Sequence, residues 1–467
     1  MNTEATITTT SRISNVALDA LADLLGDRFS TGSSILDHHG RDESWHKPQR
    51  PDGVCFPDTT EEVSEICKIC YAHGVPIIAF GAGSSVEGAL IPVSGGIVIS
   101  TERMQALLNV DTANFDCTVQ PGLKRLALNE ALRDSGLFFP VDPGADASIG
   151  GMTATRASGT NAMRYGTMAD AVRGLVVVLA DGRILKTGTR ARKSAAGYDL
   201  THLIVGSEGT LGFVTEITLR LFPMPEETDT AISSFDTLED AVNTAVTIQQ
   251  CGLPVARLEL LDDVMIDAVN EFSKTDLPLR PHLFIEFHGS RAANDYAIEL
   301  VADIVKDMGG SDFEWAKTQE DRSRLWKARH DCAHACMHYR RPKRMLTCDV
   351  CVPLSALAES IGRARDDARA NGFDGPILGH VGDGNYHMVL LIDPDDADEV
   401  ARAQGVADRL AKHAIDVGGT STGEHGVGIG KRKHMLYEHG DVAIDVMRGI
   451  KTLLDPKNLM NPGKVLP

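Results

Sequence analysis

"VPIIAFGAGSSVEGALIPVSGGIVIS", residues 75–100, is the stretch whose reading decides the fold. An apolar run, VPIIAF, enters Gly81-x-Gly83, and a second apolar run, GGIVIS, follows. A strand leading into glycines, with an acid (Glu102) beyond them, is how a dinucleotide-binding βαβ unit opens. That unit needs a third glycine and a helix of about ten residues before the next strand. Val86 stands in the third glycine's place, and Gly88 and Pro92 interrupt any helix. The second strand also begins too soon for a parallel crossover. The stretch therefore reads as a bare anion-binding loop. Successive N–H groups around Gly81, Gly83, Ser84 and Ser85 can cradle a pyrophosphate there, although the loop taken alone also reads as an ordinary glycine turn.

Working outward, two more glycine-rich stretches follow: "VDPGADASIGGMTATRASGTNAMRYGTMADAVRGLVVVLADGRIL" (141–185) and "LIVGSEGTLGFVTEITLRLFP" (203–223). Residues 50–225 carry short Val/Ile-rich runs between these loops. Residues 226–415 alternate strands with amphipathic helices, among them "TLEDAVNTAVTIQQCG", with Thr237 as N-cap and Gly252 as the stop. "TQEDRSRLWKARHDCAHACMHY" reads as one helix, and "MLTCDVCVP", "GPILGHV" and "YHMVLLID" as strands. This mixture predicts an antiparallel sheet with helices on one face. Residues 416–467 return to glycine-rich loops and then a helix.

The totals bound the function. A chain of 467 residues suggests two or three domains, and 43% hydrophobic with 24% charged residues is ordinary globular composition. A net charge of -19 argues against general nucleic-acid binding. "HYRRPKR" (338–344) is a local basic exception, read as a solvated loop or as an anion- or partner-facing one. No run approaches a membrane-spanning length, and the polar N-terminus reads as a loose leader over residues 1–15. Nine cysteines include two C-x-x-C pairs, Cys67/Cys70 and Cys348/Cys351. Their separation does not suit a shared zinc; a redox role for the first pair and plain reduced thiols are the readings left.

"HVGDGNYH" (380–387) places two histidines around Asp383-Gly384, a strong hairpin signal. With those two residues as the turn, His380 lies directly opposite His387, close enough for both imidazoles to face one ion. A third ligand is wanted, and "GGTSTGEHGVGIGK" (418–431) offers Glu424 and His425. From composition alone, a metal site and a hydrogen-bonded hairpin stay equally open.

The three glycine-rich motifs in this order resemble the FAD-binding domain of the vanillyl-alcohol oxidase superfamily, the PCMH-type flavin fold, from about residue 50 to the C-terminus. The chain looks most like its FAD-linked D-2-hydroxy acid dehydrogenase branch, which includes the cytochrome-type D-lactate dehydrogenases, the glycolate oxidase flavoprotein subunit and D-2-hydroxyglutarate dehydrogenase. The resemblance implies an α+β molecule. A PCMH-type FAD-binding domain of two α/β subdomains spans 1–225, a substrate domain with an antiparallel sheet spans 226–415, and 416–467 completes the FAD domain and the active site. It implies that Gly81, Ala82, Gly83, Ser84 and Ser85 hold the pyrophosphate. Pro143, Gly144, Gly150, Gly151, Ser158, Gly159, Asn161 and Tyr165 would line the flavin and ribityl chain, and Glu208, Gly209, Gly212 and Val214 the adenine end. With no histidine between Gly81 and Pro92, FAD is expected to be non-covalent.

By the same resemblance His380, His387 and Glu424 bind a divalent metal, Zn2+ or Mn2+ with Fe2+ also fitting, and His425 is the base. Oxidising a 2-hydroxy acid sends a hydride from C2 to flavin N5 and the hydroxyl proton to a base. A metal lowers the hydroxyl pKa, and a histidine suits the proton. Arg329, in "LWKARHD", is the first choice for the substrate carboxylate, ahead of Lys343 and Arg344. Asn385 and Asn461 are further contacts near substrate and flavin. The expected activity is D-lactate to pyruvate; D-2-hydroxyglutarate or glycolate oxidation, or an alkyl-dihydroxyacetonephosphate synthase-like transfer, are the alternatives. Expected partners are the small hydroxy acid and an acceptor such as cytochrome c or a quinone-linked carrier. A homodimer, a cytoplasmic location and at most peripheral membrane contact complete the expectation.

Overall fold

The strand Ile77–Phe80 runs parallel to Ile97–Ser100, with Ile77 opposite Ile97. This is a computed structural model, and it describes residues 13–316, 318–339 and 344–467. The first twelve residues of the expected leader, and Lys343 with the rest of 340–343, lie outside the described residues. The segment 81–96 joins the two parallel strands without a helix. The loop reading holds, but the expectation that the second strand starts too soon for a parallel connection does not. The chain crosses over in an irregular glycine-rich path instead of a helical one.

These strands belong to a four-stranded sheet, in the order Phe29–Ser30, Gly53–Cys55, Ile97–Ser100, Ile77–Phe80. The helix Thr60–His73 covers it. Thr59 accepts from Glu62 N at 3.2 Å to cap it, and Gly74 ends it at φ +66°. Val63, Ile66, Cys67 and Cys70 face inward from this helix onto Ile77 and Ile97. Burial pushes both thiols well above the ordinary range, which removes the redox reading of Cys67 and Cys70.

A five-stranded antiparallel sheet follows, in the order Leu107–Asp111, Asp116–Val119, Phe213–Arg220, Val172–Val178, Ile184–Gly188. The last residues of the chain return to the first sheet. Ile77 N donates to Leu459 O at 2.7 Å, and Asn461 N donates to Ile77 O at 2.8 Å.

Residues 227–392 form a seven-stranded sheet in the order Glu314–Trp315, Glu227–Ser234, His282–Gly289, Val255–Leu261, Ile377–Gly379, Asn385–Ile392, Arg344–Cys351. Every pairing in it is antiparallel. Helices cover both faces, not one. Leu238–Gln250, Arg291–Asp307, Leu357–Ala370 and Ala397–Asp416 pack on Leu258, Leu260, Leu283 and Ile285. Asp263–Ser273, Gln319–His330 and Cys332–His338 pack on the opposite residues Ile232, Leu261 and Phe284. The cause is visible in HLFIEFHG, which is apolar at consecutive positions and so presents buried side chains to both sides. Asp331 divides the single helix expected over 318–339 in two. Asp263–Ser273 and Ala397–Asp416 are additional to the helices read from sequence, each N-capped by an aspartate. Among the described residues no helix is long and apolar enough to cross a membrane.

Candidate active site

The histidine hairpin forms, but with its turn one residue earlier than its simplest reading, so the partner of His387 shifts by two. Leu378, not His380, pairs with His387. Asn385 N donates to His380 O at 3.3 Å, and Gly384 N to Val381 O at 3.4 Å, so Gly382-Asp383 rather than Asp383-Gly384 is the centre of the turn. His380 and His387 therefore meet on a cross-strand diagonal. Long aromatic side chains still reach across that distance, and the ring centroids are 5.5 Å apart.

Glu424 arrives from the loop after the helix Ala397–Asp416. Its Oε1 lies 3.2 Å from His380 Nε2 and 3.2 Å from His387 Nε2. The three groups can face one ion together. Each histidine has a carboxylate behind it. His380 Nδ1 lies 2.8 Å from Glu259 Oε1, and His387 Nδ1 lies 3.4 Å from Asp349 Oδ1 without aligning as a hydrogen bond. Asp349 pairs with His387 across the strands. Its Oδ2 also accepts from Glu424 N and His425 N, both at 2.9 Å, and from Thr422 Oγ1 at 3.0 Å. One buried carboxylate thus ties the hairpin to the loop.

The charges are strongly coupled. Burial raises Glu424, but His380 and His387 outweigh it and hold the carboxylate well below its usual range. Burial lowers His380, but Glu259 and Glu424 outweigh that and raise it well above. His425 behaves differently. Burial pushes it down to about 4 against the pull of Asp349, so its imidazole is neutral near pH 7. Its ring stacks on His387 at 4.8 Å and 9°. Glu424 Oε2 and His425 Nδ1 are buried without a hydrogen-bond partner. Two imidazoles and one carboxylate with an unpartnered Oε2 fit a divalent cation such as Zn2+, Mn2+ or Fe2+.

Glu424 and His425 also line a cavity. Its walls include Gly81, Ala82, Gly83, Ser84, Ser85, Pro143, Gly144, Gly150, Gly151, Glu208, Gly209, Gly212 and Val214. Its glycines also allow close chain packing: a Cβ at Gly150 would stand 2.5 Å from Pro121 Cβ. Ser85 Oγ is buried there without a partner. An orphaned hydroxyl in a glycine cradle with apolar walls fits a pyrophosphate-bearing cofactor such as FAD.

Five expected lining residues sit behind the walls. Ser158 does not reach the cavity, and Gly159 lies directly against Asp142. Asn161 accepts from Arg257 Nε at 2.8 Å and donates to Pro140 O at 3.0 Å. Tyr165 bonds His288 Nδ1 through its hydroxyl at 2.8 Å and packs edge-on to Phe138 and Phe222. Asn461 donates to Ala89 O and Glu208 O. Asn161, Tyr165 and Asn461 thus brace the loops. Glu208 does line the cavity, but its carboxylate accepts from Val427 N and Gly428 N.

The substrate residues also move. Arg329 is buried, and its Nε and Nη2 donate to Glu259 Oε2 at 2.9 and 2.5 Å. It stands behind His380, held by a carboxylate, and not on the cavity wall. Asn385 Nδ2 donates to Asp349 Oδ1 and Val350 O, each at 2.8 Å. Arg344 is exposed at the end of its strand. Sequence reasoning missed Glu259 and Asp349. The signal was a single acid inside each apolar strand, "RLELL" and "TCDVCV", where an unpaired charge would be costly.

Comparison with known proteins shows the family and the fold. Residues 224–465 match the family described as FAD linked oxidases, C-terminal domain, and 51–188 match the FAD binding domain family. A Danio rerio protein named "Probable D-lactate dehydrogenase, mitochondrial" is 51% identical over 94% of this chain and 88% of its own. The Arabidopsis thaliana "D-lactate dehydrogenase [cytochrome], mitochondrial" is 42% identical over 96% of this chain and 80% of its own. The crystal structure of p-cresol methylhydroxylase has a TM-score of 0.78 at 18% identity, covering 96% of both chains, so the PCMH-type fold is shared.

Proposed function

The chain belongs to the FAD-linked oxidase family, and we propose that within it this protein is an FAD- and divalent-metal-dependent D-lactate dehydrogenase producing pyruvate. One observation carries the reading: His380, His387 and Glu424 converge beside His425, and Glu424 and His425 line a glycine-walled cavity. Gly81 to Ser85 would hold the FAD pyrophosphate non-covalently, with Pro143, Gly144, Gly150 and Gly151 on the same cavity wall available to the rest of the cofactor. When bound, FAD supplies the hydride acceptor and the cation supplies Lewis acidity toward the substrate hydroxyl.

The chain's own residues do the remainder. Glu259 fixes His380 through Nδ1, leaving Nε2 toward Glu424 where it would serve a cation, and Asp349 holds Glu424 and His425 by their backbone N–H groups. His425, neutral and next to the ligands, takes the hydroxyl proton. The largely apolar walls lower the dielectric around these charges and so strengthen their interactions. Arg329 contributes by its charge behind His380, with Glu259 between. A synthase-like transfer does not call for the carboxylate ligand Glu424.

Electrons pass to a cytochrome c or a quinone-linked carrier. Both relatives' names place those proteins in mitochondria, which does not favour the cytoplasmic location expected from the N-terminus.

The test is anaerobic mixing of the purified yellow protein with D-lactate, L-lactate, glycolate and D-2-hydroxyglutarate, before and after chelation. Bleaching by D-lactate that is lost on chelation and restored by Zn2+ or Mn2+ is expected. Faster bleaching by another acid reassigns the substrate, and bleaching indifferent to chelation removes the metal.

A further inference from the structure

Glu208 stands in a backbone conformation that its side chain disfavours. Its φ is +51°, in the left-handed region where glycine and asparagine are the usual occupants. Several bonds over-determine it, which is the condition for such strain to persist. Its N–H donates to Ala154 O at 2.9 Å, and its carbonyl accepts from Asn461 Nδ2 at 2.8 Å. Its carboxylate, in a residue only 6% exposed, accepts from Val427 N at 2.7 Å and Gly428 N at 2.9 Å. Gly426 at φ +82° and Gly428 at φ +48° turn these successive amides to one side, making a small nest for one carboxylate.

The two ends of this contact have different jobs. Glu208 sits in the turn Ser207–Gly209 on the wall of the flavin cavity, and Gly426 follows directly on His425. Both carboxylate oxygens accept from the loop, so the side chain joins the cavity wall to it. We propose that Glu208 is a positioning residue that fastens the loop bearing Glu424 and His425 to the flavin wall, so that base and flavin share one rigid frame. This rests on the reading of His425 as the proton acceptor.

The test uses the full-length, flavin-loaded protein and two variants. Glu208→Gln turns an N–H against one of the two amides. Glu208→Asp keeps the charge but is one methylene too short to span both. Hydrogen exchange across residues 421–430 is expected to quicken roughly tenfold or more in each, as for losing one charge-assisted bond. Exchange in the hairpin 377–392 and flavin content stay unchanged. Flavin reduction by D-lactate slows on the order of a hundredfold, with the half-saturating concentration unmoved, as for a misplaced base.

Unchanged exchange over 421–430 in both variants overturns the positioning role. So does loss of flavin from both, which would make Glu208 a cofactor-holding residue. A wild-type flavin that no D-2-hydroxy acid bleaches removes the proposed function without touching the exchange result, so the two failures are told apart.

Discussion

Replacing Glu259 with glutamine should damage stability and metal binding together, by separable amounts. Glu259 and Arg329 are 1% and 8% exposed at their side chains, and two short bonds join them. Glu259 Oε1 meets His380 Nδ1 at 2.8 Å. Two unit charges about 4 Å apart attract by roughly 4 kcal/mol at an effective dielectric near 20. Removing one leaves the other buried and uncompensated, which costs about 3–5 kcal/mol. Separately, a histidine that loses its carboxylate partner weakens metal binding by about 10–100-fold. Denaturant unfolding reads the first quantity, and calorimetric titration of Zn2+ or Mn2+ into chelated protein reads the second. The double variant Glu259→Met/Arg329→Met should recover most of the stability, since an apolar pair replaces a buried ionic one at little cost. It should not recover the metal affinity. The reasoning is refuted if Glu259→Gln unfolds with the wild type and binds metal within a factor of two. It is equally refuted if the double variant restores both properties.

Three further outcomes are expected. His387→Ala should keep its flavin but lose metal and turnover, measured by elemental analysis and flavin bleaching; full activity would reduce the hairpin to a structural element. Gly150→Ala should lose about 1–3 kcal/mol and hold flavin less tightly, because the new methyl meets Pro121 Cβ at 2.5 Å and Pro121 O at 2.9 Å; denaturant midpoints and flavin content check it. Lys464 supplies a pH dependence. Burial pushes it down to about 8, with Asp42 and Glu208 opposing, so the folded state releases its proton before the unfolded state does. Below pH 8 both states are protonated and the cost of burying the charge is constant. Between pH 8 and Lys464's ordinary value near 10.5 stability rises with pH, by about 3 kcal/mol in all. Comparing wild type with Lys464→Met across pH 7–10.5 isolates that rise, and parallel curves would contradict it.

Much of the fold is written locally. The glycines at 81 and 83, the breakers Gly88 and Pro92, and the capped helix Thr60–His73 announce an anion loop without a helix because each acts through its own backbone. The ligand types were legible too, since histidines seven residues apart around a turn, and a Glu-His pair in a glycine loop, carry their chemistry with them. What the chain alone left undetermined are quantities that depend on packing. The register of the 377–392 hairpin is set by Leu378 and Ile377 seating beside His387 and Met388 in a seven-stranded sheet, not by the Asp-Gly signal. Arg329 stands off the cavity wall because a buried guanidinium must find a carboxylate, and Glu259, seventy residues earlier in the chain, is the one it pairs with. Asn161, Tyr165 and Asn461 look like cavity residues in a motif, yet they brace its loops from behind. Residue type and spacing thus determined which chemistry this protein carries. The desolvation of charges brought together from distant strands decided which groups face the cavity and which hold them there.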